Sequence, residues 1–261
     1  MLLSGLNCYY WASKNYHSRI KVLANFDYVT ANKLTLNAHG YKNTNRTLVA
    51  LVGLGIAFVV SAIYLPATPI VLLLTAVAWW SQKSHPILLA GAEGEDLVIN
   101  LLSALPDTFT VYNQVDLPNA KSRTGFNEAD VIVAGPNAVF VIEVKHNSGS
   151  IRGADTDREW RIEKTSRGGS VYGKTMRNPI SQVKRLVWLL SKDLKAKGSR
   201  AWIQGVVLFS HPDVDAKIEN DSNVPVMGRA DIVNYINAYQ AKFDIANNAK
   251  LISDIAALKG A

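Results

Sequence analysis

Between Arg46 and Lys83 the chain carries no charged residue. Within that stretch, Thr47 to Leu65 is an apolar run of the length at which a helix spans a bilayer. Pro66-Ala67-Thr68-Pro69 breaks it. A second run, Ile70 to Trp80, ends in Trp79-Trp80, whose amphipathic rings favour the headgroup region. Two helices joined by a tight proline-containing turn predict a membrane hairpin over residues 47–83, with both ends on one side. The second run is short for a hydrocarbon core of about 30 Å and needs Pro66–Pro69 or Ser81-Gln82 to complete it. A secretory signal fits poorly, because the run starts near Thr47 and no small-residue cleavage site follows. A hairpin buried inside a soluble fold is disfavoured, since apolar residues would have to be hidden on every helix face.

The formal charge of +7 is unevenly spread: residues 1–83 hold 7 Lys/Arg against 1 Asp/Glu, and residues 84–261 hold 21 against 20. Lys14, Arg19, Lys21, Lys33, Lys42 and Arg46 precede the hairpin and Lys83 follows it. By the positive-inside rule, both flanks and the C-terminal domain are expected in the cytoplasm. Residues 1–46 are dotted with aromatics (Tyr9, Tyr10, Trp11, Tyr16, Phe26, Tyr28, Tyr41). That mixture suits anionic lipid or nucleic acid, but a basic juxtamembrane segment is the simpler reading. With 48 % hydrophobic and 19 % charged residues, disorder is excluded. The one cysteine, Cys8, excludes an internal disulfide framework and a zinc site built on several thiolates.

Downstream the pattern is mixed α/β. Leu97, Val98, Leu101, Leu102 and Leu105 recur at helical spacing over Ala92 to Leu105. Strand formers fill Phe109 to Val115, Asp130 to Ala134 and Ala138 to Lys145, and Gly135-Pro136-Asn137 makes a hairpin of the last two. Trp160 to Ile162 suggests another short strand. Asn178-Pro179 opens a helix running to about Lys197, with Val183, Leu186, Val187, Leu190 and Leu194 on its inner stripe. Ala201 to Phe209 is an apolar strand, and Ile232 to Tyr239 and Phe243 to Leu258 read as closing helices.

The strand ending at Lys145 holds the chemistry. Val141, Glu143 and Lys145 share one face and Phe140, Ile142 and Val144 the other. A carboxylate and an ammonium at the end of so apolar a strand are costly unless something binds there. Asp130, which opens the neighbouring strand, can approach Glu143. Two carboxylates held together share a proton or bind a hard divalent cation. Beside them a lysine can hold an anionic group or stabilise developing charge. Asp130, Glu143 and Lys145 are thus the ingredients of metal-assisted phosphodiester cleavage. A plain strand-end ion pair between Glu143 and Lys145 accounts for two of them equally well.

In order along the chain stand Gly91-Ala92-Glu93-Gly94-Glu95 at a helix start, Asp130, Ile142-Glu143-Val144-Lys145, Gly149, Trp160 and Asn178-Pro179-Ile180-Ser181-Gln182. Over about residues 88–210 this series resembles the nuclease-related (NERD) domain of the PD-(D/E)xK nuclease superfamily. Ala129 stands at the superfamily's nominal Pro. The resemblance implies a restriction-endonuclease-like mixed sheet flanked by helices. It also implies that Glu95, Asp130 and Glu143 hold Mg²⁺ (or Mn²⁺), that Lys145 is the catalytic lysine and that Gln182 supports the site. A place in the first turn of its helix would favour the Glu95 carboxylate, and its offset from Leu97 and Leu101 would point it away from the core face. Simple N-terminal charge decoration would account for Glu93 and Glu95 as well.

Residues 145–200 hold 14 Lys/Arg against 5 Asp/Glu. Arg152, Arg158, Arg161, Lys164, Arg167, Lys174, Arg177, Lys184 and Arg185 suit a phosphate backbone, so DNA is the expected partner; an anionic bilayer is the competing one. Gly168 to Thr175 satisfies the P-loop string, but polar residues precede it and Pro179 follows closely, so no nucleotide cofactor is expected. His146, facing away from Lys145, reads as a loop-entry residue. The domains expected are a basic segment (1–46), the hairpin (47–83), the nuclease-like domain (88–210) and a C-terminal helical extension (211–261). The function expected is that of a membrane-anchored, Mg²⁺-dependent nuclease-like protein acting on DNA. The alternatives are a catalytically idle nucleic-acid-binding module at the membrane and a membrane interaction protein without nucleic acid. A homodimer is compatible with the resemblance, since single-site nuclease folds often pair.

Overall fold

The computed structural model describes residues 23–166, 168–242, 245 and 248–259. Expectations resting on residues 1–22, on Arg167 and on the start of the last helix at Phe243 lie outside the described residues.

Helix α1 (Lys33–Ile63) begins at Asn32, whose side chain accepts from the Leu34 N–H at 2.8 Å and caps the first turn. It is 31 residues long, about 46 Å, and passes without a break from the basic flank into the apolar run. The stretch expected as a juxtamembrane flank is therefore helical from Lys33 onward. A 3₁₀ turn, Leu65–Ala67, holds Pro66 and leads into helix α2 (Thr68–Ser81), with Pro69 in its first turn. The two helices approach closely at Gly53, where a β-carbon would stand 2.2 Å from the Thr75 methyl. Arg46 lies 4.4 Å from the Trp79 ring, so the last charge before the hairpin is level with the tryptophans that close it.

The apolar side chains of this pair face outward, Phe58 being 77 % and Ile63 81 % exposed. The helical stretches Lys33–Ile63 and Leu65–Leu102 are long and apolar enough to cross a membrane, with 11 % and 0 % of their apolar windows buried. Among the described residues nothing covers these apolar faces, which argues against a hairpin hidden inside a soluble fold.

Helix α3 (Pro86–Leu102) leads into two sheets. Their strands are β1 (Asn25–Tyr28), β2 (Thr110–Pro118), β3 (Phe126–Ala134), β4 (Val139–Lys145), β5 (Gly149–Ala154), β6 (Glu159–Thr165), β7 (Val171–Arg177), β8 (Ile203–Phe209), β9 (Val214–Glu219) and β10 (Val226–Gly228). The larger sheet has the order β1-β2-β3-β4-β8-β10 and the smaller β7-β6-β5-β9. β2, β3 and β4 form an antiparallel meander, and β8 lies parallel to β4. Helices α4 (Pro179–Ala196), α5 (Ile232–Ala238) and α6 (Asn248–Lys259) complete the fold.

The large sheet is a layer between helices. Phe140, Ile142 and Val144 pack with Val98, Ile99 and Leu102 of α3. Val139 and Val141 pack with Leu186, Leu190 and Leu194 of α4 and with Leu251, Ile255 and Leu258 of α6. β4, apolar on both faces, is central as its composition requires. Trp160 and Ile162 of the small sheet pack with Ile180 and Val183 of α4 and Val207 and Phe209 of β8.

Two expectations are corrected. The segment from residue 211 onward supplies strands β9 and β10 before its helices. β1, in the basic flank, pairs parallel with β2 and extends the large sheet. The P-loop-like string, for which no nucleotide cofactor is expected, lies in the turn and second strand of the β6–β7 hairpin, so a strand and not a helix holds Lys174 and Thr175.

Candidate active site

Pairing between β3 and β4 runs from Ala134–Val139 to Val131–Ile142 and stops there. The next residue, Asp130, accepts the Val144 N–H through Oδ2 at 2.8 Å, so a side chain takes over from the ladder. Asp130 lies within β3 rather than opening it, because Phe126 to Ala129 also pair with β2. Opposite it on β2, Gln114 has φ +50°, a left-handed backbone at a non-glycine residue. Both strands change face here. Val111, Val131 and Val133 pack with α3, whereas beyond the switch Val115, Leu117 and Ala129 join the α4–α6 side. Gln114 and Asp130 mark this kink.

Glu143 is buried at the end of β4, and its Oε1 accepts from Lys145 Nζ at 2.6 Å. Burial, the Glu143 charge and, more weakly, the Glu95 charge hold the Asp130 carboxyl well above the usual carboxylate range, while Lys145 and the Val144 N–H pull it back. Burial alone would lower Lys145. The carboxylates of Glu143 and Asp130 outweigh it and hold the ammonium above the ordinary lysine value.

Glu95 differs from expectation in two respects. Its helix begins at Pro86, so Glu95 lies in the helix interior and not in the first turn. It also belongs to the buried face, 7 % exposed alongside Val98, Ile99 and Leu102, because that face is set by Ala92, Gly94 and Val98 rather than by Leu97 and Leu101. Asn32 Nδ2 and Gln114 Nε2 each donate to its Oε2 at 3.0 Å, and Gln114 Nε2 also donates to Asn32 Oδ1 at 3.0 Å. Burial pushes the Glu95 carboxyl up to about 7 against the pull of those amides, with the Glu128 and Asp96 charges adding to the rise.

Gly94 explains how α3 delivers this acid. A β-carbon there would stand 2.5 Å from the His146 Cβ and 2.8 Å from Ser210 Oγ, so only a bare backbone lets α3 pass the end of β4. His146 itself turns to Ser210 Oγ at 2.9 Å, and its ring lies tilted against that of His211 at 4.9 Å between centroids, outside the carboxylate pair.

Asn178 does the same for α4. Its Oδ1 accepts from Ile180 N at 2.9 Å, and its Nδ2 donates to the carbonyls of Asp155 and Asp157 at 2.9 and 2.7 Å. One side chain thus caps α4 and ties it to the β5–β6 turn, against which Trp160 Nε1 also donates to Ala154 O at 2.8 Å. Gln182, one turn into the helix, then faces the acids across a cleft of about 610 Å³. Asp130, Glu143, Glu128, Asn127, Asn178, Ser181 and Gln182 line it together with Arg158, Arg177 and Arg185.

Asp130, Glu143, Lys145 and Gln182 therefore come together, with Glu95 near enough to act on their charges but held by its own amides. Among the described residues no three His, Cys, Asp or Glu side chains form a ready metal-binding cluster. Glu95 is drawn to Asn32 and Gln114, and Lys145 takes one Glu143 oxygen. Asn32 and Gln114 were not singled out from sequence. Their signals were an asparagine just before a long helix and an amide inside an apolar strand.

An acid–acid–lysine strand end, opening on a basic cleft in a mixed sheet flanked by helices, defines a nuclease-like α/β fold. Residues 90–210 match the family model of the nuclease-related domain. No curated protein and no solved structure matches the chain.

Proposed function

We propose that this chain is a membrane-anchored, Mg²⁺- or Mn²⁺-dependent nuclease-like protein that cleaves or processes DNA phosphodiester bonds. The observation that supports it most is the cleft itself, where Asp130 and Glu143 stand against Arg158, Arg177 and Arg185. A polyanion needs the arginines; a carboxylate pair would repel it unless a cation lies between.

The residues fit a hard divalent cation. Val144 occupies only Oδ2 of Asp130, and the mutual repulsion that raises the Asp130 carboxyl is what such a cation relieves. Asp130 and Glu143 would hold it, with Glu95 behind them, and the bound cation supplies Lewis-acid activation at the scissile phosphate. Lys145, kept charged by its neighbours, is a donor and not a general base; it stabilises the negative charge that builds on the phosphoryl oxygens. Gln182 hydrogen-bonds and orients the same group, and the three arginines fix the backbone.

The hairpin would anchor this domain, with both flanks in the cytoplasm. A C-terminal reporter active only outside the cytoplasm should stay dark; a signal would overturn the topology. For the activity, the full chain in lipid nanodiscs should cleave DNA with Mg²⁺ or Mn²⁺ and stop on chelation. The engaged Glu95 favours a second reading, an idle module on the same cleft, which predicts DNA binding with no cleavage under any divalent cation.

A further inference from the structure

Helix α4 leaves the cleft bearing a second pattern. Ser181, Gln182 and Arg185 line the cleft. On the solvent side Lys184, Arg185, Trp188, Lys192 and Lys195 are all exposed, spaced so that they share one stripe. No acid interrupts it. The one acidic residue of the helix, Asp193, is half-buried and paired to Lys197 at 2.7 Å. From Ser181 to Lys195 the stripe rises about 21 Å, long enough to meet several successive phosphates of one strand.

Trp188 stands midway and is 59 % exposed, although it lies on the helix that supplies Leu186, Leu189 and Leu190 to the core. Lys192 Nζ lies 5.4 Å from its ring centroid. A large flat ring set among cations is the arrangement that stacks a nucleobase while neighbouring charges meet phosphates. Tryptophan among lysines also suits an anionic headgroup layer. Continuity decides between the two: Arg185 belongs both to the stripe and to the wall of the cleft, so a strand following the stripe arrives at Asp130 and Glu143.

We propose that the α4 stripe is the track for an unpaired nucleic-acid strand entering the candidate active site, with Trp188 stacking one base. This rests on the nuclease-like reading of the cleft. A duplex offers no free base face in its interior, so the substrate class is single-stranded or frayed nucleic acid.

The test uses the full chain in neutral-lipid nanodiscs and measures binding of a labelled single-stranded oligonucleotide and its duplex in a chelator. The wild type should prefer the single strand. Trp188→Ala should lose about tenfold on it, the loss of one stacked base, and change less than about twofold on the duplex. Trp188→Phe should recover most of the loss. Equal losses on both forms, or an unchanged single-strand affinity, would overturn the track. So would a variant that loses binding to phosphatidylserine vesicles and not to oligonucleotides, which would make the stripe a membrane contact. If the wild type binds neither form at low salt, the nuclease-like reading itself fails.

Discussion

The Nδ2 group of Asn32 donates to Oε2 of Glu95 at 3.0 Å, across 63 residues of sequence. The side chain that caps the helix leading to the apolar hairpin therefore also holds an acid beside the candidate site. Asn32→Leu removes the cap and leaves Glu95 and Gln114 each short of a partner. The full chain in detergent should lose about 1–3 kcal/mol in denaturant unfolding. An unchanged midpoint would show that this bond contributes nothing.

β1 and Asn32 lie ahead of the hairpin, yet they complete the sheet and the Glu95 pocket. A fragment confined to residues 84–261 should therefore show fast amide exchange along α3 and the β2 edge. Protection equal to that of the full chain would contradict this dependence.

A β-carbon added at Gly94 would meet the His146 side chain, at 2.5 Å from its Cβ and 2.9 Å from its Cγ. Gly94→Val should destabilise by about 1–3 kcal/mol, the ordinary cost of overpacking, and His146→Ala in the same chain should return part of it. Independent, additive effects in that double-mutant cycle would place the clash elsewhere.

Much of this was legible beforehand where the signal is local. The apolar runs of β3, β4 and β8 and the stripe of α4 are set by burial of contiguous side chains, and the tight Gly135-Pro136-Asn137 turn brings Asp130 to Glu143. Glu95 was misplaced because Gly91 and Gly94 look like a helix start. The glycines serve close packing instead, and Pro86 begins the helix. β1, β9 and β10 were not legible, since each is short and gains its partner from a distant segment. Asn32 and Gln114 look like surface amides until the kink at Gln114 turns them toward one carboxylate.

The Asp130 carboxyl is held above its usual range by burial and by Glu143. Its charged form is thus a cost to the fold, and Asp130→Asn, which keeps an acceptor for Val144, should remove it. In a chelator the variant should melt a few degrees higher than the wild type, roughly 2–4 °C for each kcal/mol relieved. Mg²⁺ should raise the wild-type midpoint and leave the variant unmoved. A lower variant midpoint in chelator would contradict the repulsion.

Lys259 on α6 donates to the Asn113 carbonyl, and burial, followed by the Lys33 charge, pulls it down to about 8 from the ordinary 10.5. The folded state therefore binds this proton less tightly than the unfolded chain. The resulting penalty is full below pH 8 and fades as pH rises toward 10.5, so stability should increase across that window. Lys259→Gln should flatten the rise in a pH series of unfolding midpoints. The same slope in both proteins would assign it to other groups.

The account turns on Asp130, Glu143 and Lys145 acting together, and single-turnover DNA cleavage by the full chain in nanodiscs measures that most directly. With saturating Mg²⁺ or Mn²⁺ and single-stranded, nicked and duplex substrates, the wild type should cut. Asp130→Asn and Lys145→Met should each lose at least about a hundredfold in rate while still binding DNA, consistent with removing a principal charge stabiliser. Cleavage that survives both substitutions would contradict the site; DNA binding with no cleavage by the wild type would leave the idle module in its place.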